Sequence, residues 1–100
     1  MAQLPIMCSL TPAALEARRS GLLSELIQRV ESREALSDGH RLRFTSNDAL
    51  SLIARTVDAE RHCCRFLRFT ITVEPDGGPI VLDLTGPTGT REFLSALFEA

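Results

Sequence analysis

The residues of this chain best suited to chemistry are three cysteines and one carboxylate: Cys8, Cys63, Cys64 and Glu60. Three is an odd number of cysteines and two of them are adjacent, a poor basis for a disulfide framework. Neighbouring Cα atoms lie about 3.8 Å apart across a trans peptide, below the roughly 4.4 Å lower limit of ordinary disulfides. Reduced thiols are therefore the expectation, available for metal or redox chemistry. Clustered thiolates suit a soft ion, namely zinc, copper(I), mercury(II) or arsenic(III), whereas a hard ion such as magnesium selects oxygen ligands.

For Glu60, Cys63 and Cys64 to converge they must share a helical surface, where steps of three and four residues are neighbours. The pattern supplies that helix. Ser46-Asn47-Asp48 marks a start, and Leu50, Ile53, Val57, Glu60 and Cys64 form a stripe, flanked by Leu52, Thr56, Ala59 and Cys63, to about Arg65. Arg55, Asp58, Arg61, His62 and Arg65 collect on the opposite, wet face. Glu60 thus falls where an apolar residue is expected, and a buried carboxylate must be paired, protonated, metal-bound or edging into solvent. Adjacent helical residues point about 100° apart, so both thiols reach one ion only where the helix ends or unwinds.

The remaining elements follow from periodicity. Leu4, Ile6, Cys8 and Leu10 alternate as a short strand with Cys8 inward, and Thr11-Pro12 opens a first helix to about Arg33 with Leu15, Leu22, Leu26 and Val30 as its stripe. Ser37-Asp38-Gly39 breaks the pattern, and a strand follows over residues 40–45. Leu67, Phe69, Ile71 and Val73 define a third strand, Pro75-Asp76-Gly77-Gly78-Pro79 a turn, and Ile80, Leu82 and Leu84 a fourth. A final helix after Gly89 buries Phe93, Leu94, Leu97 and Phe98. The order β-α-β-α-β-β-α predicts an α+β, two-layer sandwich: a four-stranded sheet with helices on one face, residues 1–100 making a single domain. If the first two crossovers join parallel strands, each helix ends near the strands' starting edge, which brings inward-facing Cys8 towards Cys63 and Cys64.

Composition removes several function classes. At 44% hydrophobic and 24% charged residues the chain reads as an ordinary globular protein able to bury roughly two thirds of its surface. The formal charge of −2 and the absence of Trp and Tyr argue against nucleic-acid binding. All the basic residues are Arg, so a Schiff-base or phosphate-loop lysine is excluded. No stretch approaches the roughly 18 apolar residues of a membrane span and no signal peptide is evident, so a cytoplasmic protein is expected. A homodimer or a protein partner stays open.

Each signal has a plainer explanation. A lone cysteine is often a small core hydrophobe, and Glu60 could pair with Arg18, Arg19 or a backbone amide. His62 reads as surface, His40 as a polar strand-end residue, and the run from Arg61 to Arg68 as a solvated face. The partial negative charge of a helix C-terminus disfavours thiolate, while Arg61, His62, Arg65 and Arg68 favour it.

Cys8-Ser9-Leu10, the segment from Glu60 to Phe66 and Pro75-Asp76-Gly77-Gly78 together carry a resemblance. The chain resembles a family of short, uncharacterised bacterial proteins with a Cys-Ser-Leu or Cys-Thr-Leu start, a Glu-x-x-Cys-Cys-x-Phe segment and a Gly-Gly hairpin. Where that family often has a proline after the cysteine pair, this chain has Arg65. The resemblance implies that Cys8, Glu60, Cys63 and Cys64 belong together, and implies no activity. The leading expectation is a small thiol protein that binds a soft metal or metalloid. Next come a thiol redox protein or enzyme using Cys63 or Cys64 with Glu60, and a structural domain with inert cysteines.

Overall fold

The computed structural model describes residues 22–45 and 48–99, which contain α1 (Leu22–Gln28), β1 (Ser32–Leu36), β2 (Gly39–Phe44), α2 (Ala49–Cys63), β3 (Arg68–Val73), β4 (Ile80–Thr85) and α3 (Thr90–Glu99). The strands make one four-stranded sheet in the order β1-β2-β4-β3, with every neighbouring pair antiparallel. Because β2 and β3 both run against β4, they are parallel to each other, and α2 is the crossover between them. The fold is α+β with its helices on one face of the sheet, as the periodicity predicts.

One strand differs from expectation. The strand expected over residues 4–10, with Cys8, lies outside the described residues. Among the described residues the sheet gains an unexpected strand, Ser32–Leu36, a stretch that the sequence pattern assigns to the end of the first helix and the residues beyond it. That helix stops at Gln28, where Arg29 N–H donates to the Leu26 carbonyl (3.0 Å) and Val30 N–H to that of Ile27 (3.2 Å), three-residue turns that tighten the end. Glu31 N–H then donates to the Arg43 carbonyl at 2.8 Å and carries the chain onto β2. Ser-Arg-Glu-Ala-Leu is rich in helix formers, but its partners on β2 override that preference. Glu34 lies opposite Arg41, whose guanidinium forks onto Asp83 of β4 at 2.9 and 3.1 Å, so opposite charges alternate across three strands. The Asp83 carboxylate holds Arg41 above its ordinary pKa.

The turn Ser37-Asp38 closes on a Leu36–Gly39 pair. A Cβ at Gly39 would collide with the Leu84 carbonyl, so only glycine lets β2 begin this close to β4. In the other hairpin Asp76 (φ 58°) and Gly77 (φ 68°) both adopt the left-handed conformation, which suits an Asp-Gly turn between strongly twisted strands.

Leu42 and Phe44 of β2 and Ile80, Leu82 and Leu84 of β4 face the helices and pack against Leu26, Ala49, Leu52, Ile53 and Leu94. Each of the Leu, Ile and Phe side chains contributes about 1.5–3 kcal/mol by leaving water. Arg41 and Arg43 take the opposite face. No helix among the described residues is long and apolar enough to cross a membrane.

Candidate functional site

Helix α2 carries the site. Asp48 precedes it in the N-cap position, but its carboxylate is engaged by Arg29 at 2.9 Å and makes no capping hydrogen bond. The buried side of the helix runs through Ala49, Leu52 and Ile53, then Thr56, Glu60 and Cys64. Leu50, expected within the stripe, is 37% exposed, and Val57 is only half-buried. With α1 packed alongside α2, the buried arc is rotated towards Leu52 and Thr56 relative to the predicted one. Thr56, Glu60 and Cys64, at four-residue steps, therefore form one polar line against the interior. The Thr56 hydroxyl is satisfied along its own helix, donating to the Leu52 carbonyl at 2.7 Å.

The end of α2 brings the thiol to the carboxylate. Cys64 leaves the helical conformation (φ −105°, ψ 75°) while its N–H still donates to the Glu60 carbonyl at 2.7 Å. Its own carbonyl accepts from Leu67 N–H at 3.1 Å, which turns the chain through Arg65-Phe66 into β3. The helix thus ends at the cysteine pair. The Cys64 thiol, with no exposed surface, donates to Glu60 Oε2 at 3.7 Å. Phe66 packs on Cys64, with Phe93 against the pair, and the two rings meet edge to face at 5.2 Å. Glu60, 8% exposed, also lines a cavity of about 20 Å³ walled by Thr56, Leu67, Phe69 and Leu84, room for about one water. A larger hollow of about 290 Å³ is lined, among the described residues, by Ile27, Val30, Arg33, Phe98 and their neighbours.

The structure therefore brings together Glu60 and Cys64 of the expected set. Cys63 closes α2, but its side chain lies outside what is described, and Cys8 lies wholly outside. Among the described residues, no three His, Cys, Asp or Glu side chains form a group that could hold a metal ion. His62 is at the surface, as expected, with Nδ1–H donating to the Asp58 carbonyl at 2.8 Å.

His40 departs from expectation. It is buried, and its Nε2 lies 3.2 Å from the Arg91 carbonyl and 3.1 Å from Ser95 Oγ of α3. A carbonyl only accepts, so Nε2 carries the proton, and Nδ1 is a buried nitrogen with no hydrogen-bond partner among the described residues. Its inward parity on β2 outweighed its place at the strand start, because α3 covers that end of the sheet.

The Glu60–Cys64 spacing has chemical content. With Zn–S near 2.3 Å and Zn–O near 2.1 Å at a tetrahedral angle, two ligands of one ion stand about 3.6 Å apart. The observed 3.7 Å, a thiol-to-carboxylate hydrogen bond, is close to that separation. Thr56 was legible only as a flanking residue four positions before Glu60. No family model matches this chain, and no similar protein was found among the curated proteins or the solved structures.

Proposed function

We propose that this chain binds one soft metal or metalloid ion through Cys64, Cys63 and Cys8, with Glu60 as fourth ligand or as the acceptor that orients the Cys64 sulfur. The observation that carries the proposal is the 3.7 Å separation between Cys64 Sγ and Glu60 Oε2, set by a helix that ends at the cysteine pair. Two further features support it. The carboxylate is buried where an inert core would take an apolar side chain, and Phe66 and Phe93 keep water from the thiol. The chain would act as a carrier, buffer or sensor in a reducing cytoplasm, where such thiols stay available. A thiol enzyme needs a nucleophile that substrate can reach, and the complete burial of Cys64 speaks against that role for it.

Native mass spectrometry of the reduced protein with zinc, copper(I) and mercury(II), repeated on Cys64→Ser and Cys8→Ser, tests this. One ion per chain is expected, lost in both variants. Capture of mercury alone, unchanged by either substitution, contradicts the proposal.

A further inference from the structure

The two edges of the sheet are built differently. The β1 edge is five residues long and carries Arg33 and Glu34, the short, charged design that discourages further pairing. Strand β3, Arg-Phe-Thr-Ile-Thr-Val, contains no proline and has apolar residues at alternate positions. Phe69, Ile71 and Val73 pair with Leu84, Leu82 and Ile80 on the helix-facing side, yet Ile71 is 38% and Val73 55% exposed. Because α2 runs opposite to β3, its first turn, with exposed Leu50, lies at the Val73 end of the fold.

The hydrogen-bond phase of β3 is fixed by its hairpin. Glu74 N–H donates to the Pro79 carbonyl at 3.3 Å, so residue 74 and, by alternation, Thr72, Thr70 and Arg68 point their peptide groups at β4. Among the described residues no strand pairs with the outer side of β3, and the N–H and C=O groups of Phe69, Ile71 and Val73 point to it. An antiparallel copy of the same strand meets this edge in register when Ile71 lies opposite Ile71 of the second copy. Phe69 then faces Val73, and these pairs exchange backbone hydrogen bonds. In the same register Arg68 of each copy lies opposite Glu74 of the other, and Thr70 opposite Thr72. A parallel arrangement in register would instead set Arg68 against Arg68 and Glu74 against Glu74.

We infer that β3 is a self-association edge: two copies of the chain join antiparallel through Arg68–Glu74 into a continuous eight-stranded sheet. The interface is isologous, so it closes as a two-fold dimer. Side-chain parity is preserved across it, and both helical layers lie on one face with the Ile71 pair between them. The inference does not depend on metal binding.

Sedimentation equilibrium of the reduced full-length chain tests it, with circular dichroism to confirm that each variant folds. The wild type is expected to be a dimer, and Ile71→Lys a folded monomer, since an edge lysine blocks strand addition. Glu74→Arg sets arginines opposite one another twice per dimer and should weaken association about tenfold. Adding Arg68→Glu to it restores the opposite-charge pairs and the affinity. A monomeric wild type, a dimer that survives Ile71→Lys, or a charge reversal that the second substitution does not rescue overturns the inference.

Discussion

The two halves of α2 lie in one helix over one sheet, yet they are made differently. The first half buries Ala49, Leu52 and Ile53 against Leu82 and its neighbours. The second half buries Thr56, Glu60 and Cys64 at the same helical spacing, beside a small cavity and an aromatic pair. Only the first half is what core packing requires. The second half sets a carboxylate and a thiol where leucine would pack, and it is there that ion binding is proposed.

Substitutions in the two halves should therefore fail in different ways. The largest effect on stability belongs to the apolar half. Ile53 is fully buried, and Ile53→Ala should cost about 2–5 kcal/mol in urea unfolding through lost contacts and a residual cavity. A loss well under that range would mean that the first half of α2 is not the packed core. In the polar half the loss should appear in binding rather than in folding. Glu60→Gln keeps shape and polarity but removes the charge, and should lower metal affinity about 10–100-fold in a competition titration. Unchanged affinity would remove Glu60 from the site. Acid should weaken binding in the wild type, because protons compete for thiolate and carboxylate ligands. The smallest effect is expected at Thr56, whose hydroxyl bonds only along its own helix in the interactions described. Thr56→Val should change stability by less than about 1 kcal/mol and leave affinity as it was. A large loss of affinity would extend the site one turn further back.

Much of this contrast was legible in the sequence. The four-residue steps place Glu60 and Cys64 on one helical face, and the start of β3 soon afterwards requires the helix to end near Cys64. The period-2 alternation likewise locates β2, β3 and β4, of which β2 and β4 bury their apolar face. What was hidden depends on partners distant in the chain. Ser32–Leu36 carries no strand periodicity of its own, and its state is decided by Arg43 and Arg41 on β2. The burial of His40 depends on Arg91 and Ser95, about fifty residues away. The rotation of the α2 stripe away from Leu50 depends on where α1 packs, which the α2 residues do not encode. The exposed Ile71 and Val73 show the converse, a correct apolar parity that the helices leave uncovered.

The claim that Cys64 binds one soft ion, with Glu60 as a further ligand or as the acceptor that orients its sulfur, is tested most directly by X-ray absorption at the zinc edge of the one-to-one complex. Sulfur scatterers at about 2.3 Å are expected, joined by one oxygen at about 2.0–2.2 Å where Glu60 is the fourth ligand, and the Cys64→Ser chain should hold no ion in such a shell. A shell of nitrogen and oxygen alone, or one that Cys64→Ser leaves unaltered, would contradict it.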